Sequence, residues 1–289
     1  MQFSSKENIK EKQDIKSGLY IVSTPIGNLE DITLRAIYIL KNSDLILCED
    51  TRTSIKLLKK FNINTKMLSY HKFNEKKRLE KIIQLIKNNK VVSLISDAGT
   101  PVISDPGMIL IKECIRNNIV LHPIPGASAV TSALSVSGFG EKFLFYGFLP
   151  NSESQIKNEI KNLCDFPYSI IFFVSPNRIE KVVKILKIFF SDRKITIAKE
   201  MTKIYEKFIR DDVNSLELSK YNLKGELTVV ISNKFKAKKK SLNQLSESVK
   251  NEIKLMLKKY SNRDVSDFIS KKEKISKKII YDYCITLKK

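Results

Sequence analysis

The sequence has few of the residues, and none of the long apolar runs, that mark several common classes of protein. Its 289 residues include only four cysteines, Cys48, Cys114, Cys164 and Cys284, which are widely dispersed and form no Cys-x-x-Cys pair. This spacing excludes a disulfide framework and a zinc site of the usual kind, and it fits a reducing compartment. No apolar run approaches the roughly 20 residues of a membrane span, and residues 1–16 are too polar for the apolar core of a signal peptide. We therefore expect a cytoplasmic protein with no membrane segment and no bound metal.

Positive charge is in excess, with 52 Lys and Arg against 31 Asp and Glu and a formal net charge of +21. This balance favours a polyanionic partner, either nucleic acid or a substrate with many carboxylates. Residues 234–289 contain 17 Lys or Arg and 6 Asp or Glu, and a helical pattern there places Leu245, Val249, Ile253 and Leu257 on one face. We expect a basic helical appendage whose charged side is either solvated or bound to RNA. Its candidate RNA contacts are Lys254, Lys258, Arg263, Lys274, Lys277 and Lys278.

Apolar periodicity predicts an α/β protein with two α/β domains. Short apolar runs at 19–23, 45–48, 91–95 and 120–124 are typical of strands buried on both faces of a mostly parallel sheet. Helical patterns separate them, and Asp31 is a candidate N-cap for the first helix. After a polar stretch, further strands are predicted at 169–174, 194–198 and 226–232. We expect a flexible polar tail over 1–17, a first domain over 18–147, a second domain over 148–235 and the helical appendage over 236–289.

Three loops rich in Pro and Gly follow predicted strands of the first domain, at 23–29, 94–107 and 124–129. Ligands of such sheets gather beyond the carboxyl ends of the strands, so the three loops predict one pocket. In the central loop Gly99 and Gly107 permit positive φ, while Pro101 and Pro106 stiffen the turns. The ordinary alternative is a tight strand-to-helix connection in which Asp105 only caps the next helix. No G-x-G-x-x-G or G-x-x-x-x-G-K-[ST] motif occurs, so a dinucleotide or P-loop site is not supported.

Four segments, in this order, resemble the ribosomal small subunit methyltransferase I family of the tetrapyrrole-methylase superfamily. They are LYIVSTPIGNL at 19–29, CEDTR at 48–52, SDAGTPVISDPG at 96–107 and GFLP at 147–150. The resemblance covers nearly the whole chain apart from the N-terminal tail and is weak in the C-terminal helices. It implies the tetrapyrrole-methylase fold and a homodimer whose subunits each hold S-adenosylmethionine between two α/β domains. It also implies methylation of the ribose 2′-hydroxyl of a cytidine in the decoding region of 16S ribosomal RNA, on the 30S subunit.

The same resemblance implies which residues contact the cofactor and where this chain departs from its family. In 172–178 a Glu and a His that are usual in the family are missing, Lys199 stands where Arg is usual, and Phe73 where a second His is common. We therefore expect no catalytic role for Phe73, Val174 or Asn177. The implied cofactor contacts are Pro25, Ile26, Gly27, Asn28, Asp97, Gly99, Thr100, Pro101, Val102, Ile103, Asp105, Gly107, Gly126, Ala127 and Ser128.

Methyl transfer to a ribose needs the 2′-oxygen in line with the sulfonium methyl, and positioning supplies much of the rate. A carboxylate, His or Lys nearby could take the proton, and a cation could lower the pKa of the hydroxyl. The candidates for catalysis are Glu49, Asp50, Arg52, His71 and Glu75. Arg52 is also a candidate for a bidentate phosphate contact, Asp50 for a helix N-cap, and His71 for base stacking.

Two other functions compete with this prediction. The first is a methylase that acts on a tetrapyrrole of the precorrin type, whose carboxylates would also suit a basic protein. The second is a basic RNA-binding protein that has lost catalysis, an alternative motivated by the altered segments 173–178 and 198–203. The intact loops 25–28, 97–107 and 126–128 favour a methyltransferase over the second alternative.

Overall fold

The structure is a computed structural model that describes residues 15–234, 245, 247–273 and 275–287. The described residues form two compact units, one within Met1–Lys234 and one within Phe235–Lys289. Residues 1–14 of the tail that was predicted over 1–17 lie outside the described residues.

Five parallel strands form the first sheet, in the order β3-β2-β4-β1-β5. All residues of β2 and β4 are buried, as their continuous apolar sequence predicts for strands with helices on both faces. The four strands and the mostly parallel pairing predicted for this part of the chain are confirmed, and the short β3 is an additional strand. The bounds are Gly18–Val22 (β1), Leu45–Cys48 (β2), Met67–Ser69 (β3), Val91–Ile95 (β4) and Leu121–Ile124 (β5).

Four helices cover this sheet. They are α1 (Leu34–Asn42), α2 (Thr51–Lys60), α3 (Glu75–Lys87) and α4 (Met108–Arg116). α1 and α2 pack on one face, and α3 and α4 pack on the other. The predicted N-cap at Asp31 is wrong, because residues 29–31 form a separate 3-10 turn and the Thr33 side chain accepts the Ala36 N–H at 3.1 Å to begin α1.

A second, mixed sheet has the order β6-β7-β10-β8-β9, and only its β6–β7 pair is parallel. α6 (Glu153–Leu163) and α7 (Ile179–Phe189) cover one face. α5 (Ala129–Ser137) follows β5 of the first sheet but packs against the other face of the second sheet. The strands are Phe143–Phe148 (β6), Ser169–Val174 (β7), Lys194–Lys199 (β8), Lys207–Asp212 (β9) and Leu227–Ile231 (β10).

The boundary predicted between residues 147 and 148 falls inside β6. Residues of β6 from Phe143 onward pair with β7 of the second sheet, so the first sheet ends before this strand. The first two residues of the segment GFLP, Gly147 and Phe148, therefore belong to β6, and Leu149 and Pro150 follow its end. Apolar pattern alone indicates a strand here, but it carries no information about which sheet the strand joins.

Three helices make up the described part of the second unit: α8 (Glu247–Met256), α9 (Asn262–Glu273) and α10 (Lys277–Thr286). They enclose a core of their own, and Lys254, Lys258, Arg263 and Lys278 are exposed. Lys277 pairs with Asp267 at 2.5 Å, and Lys274 lies outside the described residues. The buried core consists of Val249, Ile253, Val265, Ile269, Ile280 and Cys284. None of the helices in the described ranges is both long enough and apolar enough to cross a bilayer.

Candidate active site

The loops after β1 and β4 are joined directly. Thr24 and Gly99 exchange two backbone hydrogen bonds, with N–O distances of 2.9 and 3.0 Å. The Ser23 and Thr100 hydroxyls lie 2.9 Å apart, and the Thr24 hydroxyl donates to the Ser96 carbonyl at 3.1 Å. Because parallel strands end at one edge of the sheet, these bonds turn two separate loops into a single rigid surface.

The central loop has a strained backbone. Val102 has φ of 75° and Ser104 has φ of 69°, a region that is a genuine outlier for a β-branched residue. Such residues cost on the order of 1–3 kcal/mol each and persist where the surroundings fix them, often at functional sites. The predicted positive φ of Gly99 and Gly107 is confirmed, at 76° and 125°.

A cavity of about 360 Å³ lies between this surface and the second sheet, a size within the usual range for small-molecule sites. We call the part of the first unit that precedes β6 its first half and the part from β6 onward its second half. The first half supplies loop residues and the start of α5 to the cavity. The second half supplies residues at the ends of β6, β7 and β10. The lining residues are Ile26, Asp97, Ala98, Gly99, Thr100, Ile103, Ser104, Asp105, Ser128, Ala129, Val130, Phe148, Phe173, Val174, Ser175, Pro176, Gly225, Glu226, Leu227 and Thr228.

About half of the residues implied as cofactor contacts line this cavity, namely Ile26, Asp97, Gly99, Thr100, Ile103, Asp105 and Ser128. Three of the others support the loops from behind. A Cβ on Gly107 would meet the Leu94 side chain at 2.7 Å, one on Gly126 would meet Ser23 Cβ at 2.8 Å, and Val102 packs in the core of the first sheet. Pro25, Pro101 and Ala127 are also outside the lining.

Gly27 and Asn28 form a contact between the two halves of the unit. The Asn28 N–H donates to the Thr202 hydroxyl at 2.9 Å, and a Cβ on Gly27 would lie 2.6 Å from both Thr202 Oγ1 and Lys203 Cγ. Only glycine allows such an approach. Lys203 in turn pairs with Glu226 of the cavity wall at 3.1 Å, so this contact connects the loop after β1 to the opposite wall of the cavity.

The charged side chains that line the cavity are all carboxylates, Asp97, Asp105 and Glu226. Burial raises the pKa of Asp105 to about 6, with a further contribution from the negative charge of Glu49. Burial and the charge of Asp97 likewise raise the pKa of Glu49. Asp97 accepts a hydrogen bond from the Asp50 N–H at 3.2 Å. Carboxylates whose charge is disfavoured in this way are stabilised by a bound cation.

None of the five catalytic candidates is among the residues that line the cavity. Asp50 caps α2 through the Arg52 N–H, and its Oδ2 pairs with Arg52 Nη2 at 2.7 Å. Hydrogen bonds from Arg52 lower the pKa of Asp50 to about 2. Arg52 is 89% exposed but already holds this carboxylate, so the predicted phosphate contact would have to compete with Asp50.

His71 lies in the turn that follows β3, and Glu75 is the first residue of α3. His71 Nδ1 accepts the Phe73 N–H at 3.3 Å, and Nε2 lies 3.0 Å from the Asn74 side-chain amide. Both ring nitrogens are therefore occupied within the turn. Glu75 is buried beside Tyr70, whose pKa is raised chiefly by burial and also by Glu75. Of the five candidates, Asp50 contacts the cavity residue Asp97 through its backbone N–H, and the charge of Glu49 interacts with both Asp97 and Asp105.

The cavity residues from the second half lie outside the predicted set. A partial signal is present in the sequence, since Ser175 and Pro176 follow a predicted strand directly. Arg178, in the 3-10 turn that continues this segment, donates to the Leu149 carbonyl at 3.1 Å and to the Pro150 carbonyl. The Arg178 side chain thus holds the segment that follows Phe148 next to the segment that contains Pro176.

Comparison with known proteins identifies the family. A family model described as Tetrapyrrole (Corrin/Porphyrin) Methylases matches residues 18–217. The ribosomal RNA small subunit methyltransferase I of Rickettsia prowazekii is 47% identical, covering 79% of this chain and 83% of its own length. The chain belongs to the ribosomal RNA small subunit methyltransferase I family. The family member from Thermotoga maritima is 46% identical over 75% of this chain and 98% of its own.

The tetrapyrrole-methylase fold predicted for this family member is confirmed by solved structures. Uroporphyrin-III C-methyltransferase from Thermus thermophilus, crystallised with S-adenosylhomocysteine, superposes with a TM-score of 0.53 and is 15% identical. The match covers 74% of this chain and 97% of that one. Within the described residues, no group of three or more His, Cys, Asp or Glu is arranged to hold a metal ion.

Proposed function

We propose that this methyltransferase transfers the methyl group of S-adenosylmethionine to the ribose 2′-hydroxyl of a cytidine in the decoding region of 16S ribosomal RNA. The assembled 30S subunit is the proposed substrate, and the proposed active form is a homodimer. Membership of the methyltransferase family supports the reaction class. The single observation that carries the cofactor assignment is the cavity between the two sheets, with Asp97 and Asp105 in its wall.

The chemistry of the cavity fits this cofactor. S-adenosylmethionine carries a sulfonium and an ammonium against one carboxylate, and the raised pKa of Asp105 indicates a place where a cation is favoured. Apolar side chains of Ile26, Ile103 and Phe173 suit an adenine ring and exclude water. Backbone groups of the strained central loop are held in place before binding, which lowers the entropy lost when a ligand binds.

The cofactor supplies an electrophilic methyl group, and the chain has to position the ribose hydroxyl and accept its proton. Glu49 is the proposed acceptor. Its raised pKa makes it a stronger base than an exposed carboxylate, and it interacts with Asp97 of the cavity wall and with His71. Asp50 and Arg52 are less suited because each neutralises the other.

Among methyl acceptors, RNA is favoured over a tetrapyrrole. The two relatives compared above, 46–47% identical, are ribosomal RNA methyltransferases, whereas the uroporphyrin-III C-methyltransferase is only 15% identical. The carboxylates Glu49, Asp97, Asp105 and Glu226 around the cavity would repel the many carboxylates of a precorrin. The exposed lysines of α8–α10 could meet RNA phosphates.

A methylation assay with tritiated S-adenosylmethionine tests the proposal. The purified chain is given 30S subunits, deproteinised 16S ribosomal RNA or a precorrin, and labelled RNA is digested to nucleosides. We expect label mainly on 30S subunits and as 2′-O-methylcytidine. Label confined to the precorrin, or found on a nucleobase, contradicts the proposal.

Calorimetry separates an enzyme from an RNA-binding protein that has lost catalysis. We expect S-adenosylmethionine to bind the isolated chain. Binding to RNA with no cofactor bound at millimolar concentration would favour the inactive alternative.

Sedimentation of the chain at micromolar concentration tests the homodimer, and a monomer that retains full activity would contradict it.

A further inference from the structure

The turn between β3 and α3 holds a phenylalanine in solvent. Phe73 is 94% exposed, yet the backbone around it is heavily hydrogen bonded. The Asn74 side chain accepts the His71 N–H at 2.9 Å and donates to the Ser69 carbonyl at 3.3 Å. The Phe73 N–H itself donates to His71 Nδ1. The exposure of Phe73 is therefore a property of a fixed turn.

A second ring lies beside it. The rings of His71 and Phe73 meet edge to face with centroids 6.0 Å apart. Fixed planar rings on a surface are what unpaired nucleobases stack on, because every base presents a π-face. Burying the ring of Phe73 under a base would also remove apolar area from water.

The surroundings of this turn are strongly basic. Residues 51–81 contain ten Lys or Arg and two Glu. Lys72, Lys76 and Lys77 are exposed, and in the described ranges none of the three has a carboxylate within 4.0 Å. These three ammonium groups flank Phe73 in the sequence and are available to phosphates. Aromatic rings interleaved with free cations are typical of surfaces that bind single-stranded nucleic acid.

The turn also lies at the edge of the sheet where the cavity opens. Tyr70, which precedes it, donates its N–H to the Cys48 carbonyl at 2.7 Å. Glu49 follows Cys48, and its charge interacts with both His71 and Asp97. Since Asp97 lines the cavity, Glu49 interacts with the turn on one side and with the cavity wall on the other.

We propose that Phe73 is a stacking platform for an unpaired base of the RNA substrate, and that Lys72, Lys76 and Lys77 bind the phosphates on either side. This inference rests on the proposed function, since it assigns a surface to the RNA that the cavity would methylate. Phe73 is in this view a positioning residue. It holds the strand so that one ribose enters the cavity, and it takes no part in proton or methyl transfer.

Substitution of the ring tests the platform. Phe73→Ala should raise the KM for the RNA substrate about tenfold, the order expected for loss of one stacked base, with the affinity for S-adenosylmethionine unchanged. Phe73→Tyr keeps a ring and should have the wild-type KM for RNA. Because Phe73 is exposed, neither change removes core packing, and thermal unfolding should be unaltered.

Ile188→Ala is the matched control. Ile188 is 63% exposed near the end of α7, far along the helix from the cavity residues Ser175 and Pro176 that precede its start. It should leave the KM for RNA unchanged. An unchanged KM in Phe73→Ala, or an equal rise in Ile188→Ala, overturns the inference. If the wild-type chain methylates RNA, either result leaves the proposed function standing; if it does not, the proposed function itself has failed.

The occupant of the surface is tested separately. Replacing Lys72, Lys76 and Lys77 together by Ala should make RNA binding less dependent on salt, with a slope reduced by about two to three. A photocrosslinking residue, Phe73→p-benzoylphenylalanine, should label RNA in irradiated mixtures with 30S subunits. A crosslink to a second copy of this chain, in place of RNA, would mean that Phe73 lies in a subunit interface and would overturn the inference.

Discussion

Three carboxylates, Glu49, Asp97 and Asp105, share a small region at the edge of the first sheet and interact with one another. In the absence of a cation their mutual repulsion and partial burial disfavour the ionised forms. The same arrangement favours a positively charged ligand. The site is thus less stable alone than with its proposed cofactor, which is a common relation between stability and function.

Asp105→Asn should weaken binding of S-adenosylmethionine and stabilise the cofactor-free protein. The pKa of Asp105 is raised to about 6, so the folded state is destabilised as pH rises from about 4 to about 6, by on the order of 2–3 kcal/mol in all. The variant should therefore have the higher Tm at pH 7.5 and the same Tm as wild type near pH 4. For wild type we expect the affinity for S-adenosylmethionine to decline below about pH 6. The variant should not show this decline.

Calorimetry and thermal unfolding at both pH values check this prediction, with Asp31→Asn as the control at an exposed carboxylate. Equal cofactor affinity in Asp105→Asn and wild type at pH 7.5 would show that Asp105 has no role in holding the cation.

Glu49→Gln should lower kcat by roughly a hundredfold or more, as expected on removal of a general base, with little change in the KM for S-adenosylmethionine. Burial and Asp97 raise the pKa of Glu49, and only the carboxylate accepts a proton. Wild-type kcat should therefore fall as pH decreases through this pKa, and the variant should lack that limb. Rates between pH 5 and 9 test this, with Glu80→Gln as control; a variant with the wild-type profile argues against Glu49.

At the scale of elements, the site depends on loops that are hydrogen bonded to each other. The loop after β1 pairs with the loop after β4 through Thr24 and Gly99, and with the segment after β8 through Asn28 and Thr202. Each contact joins residues far apart in sequence. The local reason is that a strand end followed by Pro and Gly leaves backbone groups free to pair with a neighbouring loop.

Gly27→Ala should separate the loop after β1 from the segment after β8. Its Cβ would lie 2.6 Å from Lys203 Cγ and 2.9 Å from the Met201 carbonyl oxygen, and backbone cannot move aside easily. We expect a loss of about 1–3 kcal/mol in the free energy of unfolding and weaker cofactor binding. Gly140→Ala is the control, since its nearest neighbour is 3.8 Å away. Similar unfolding curves and cofactor affinities for both variants would contradict this account of the contact.

Sequence patterns predict much of the secondary structure and the three loops of the first half, because each is a local property. The apolar residues of 45–48 and 91–95 are by themselves enough to predict buried strands. The second half of the cavity was not predictable in the same way. Gly225 and Phe173 enter it only because β10 lies beside β7, and strand order depends on packing that no short segment encodes.

At the scale of the whole molecule, the chain has two compact units, and residues 234–289 contain 17 Lys or Arg against 6 Asp or Glu. The C-terminal unit has its own buried core and forms a compact body in the described part of Phe235–Lys289. The first unit has separate cores around both sheets. Binding of a small cationic cofactor and binding of a large polyanion can therefore involve different surfaces of one chain.

A chain that ends at Lys234 should fold and bind S-adenosylmethionine with wild-type affinity, because the cavity residues all precede this point. Its affinity for 30S subunits should fall about tenfold or more, with a weaker dependence on salt, since it lacks the lysines expected to meet phosphates. Filter binding across roughly 50–200 mM salt measures both. Unchanged affinity and slope would mean that the exposed Lys and Arg side chains of α8–α10 are only solvated and bind no RNA.

The sequence by itself determined the α/β class, the parallel sheet of the first half, the family and the loops that surround the proposed cofactor site. These follow from periodicity, turn residues and motif, all of which are local. Only the tertiary structure decided that Gly27 and Asn28 join the two halves and that Asp105 faces the cavity and does not cap α4, whose N-cap is Gly107. The physical reason is that burial, pKa and close approach are properties of residues brought together from distant segments, and they exist only after the two sheets have packed.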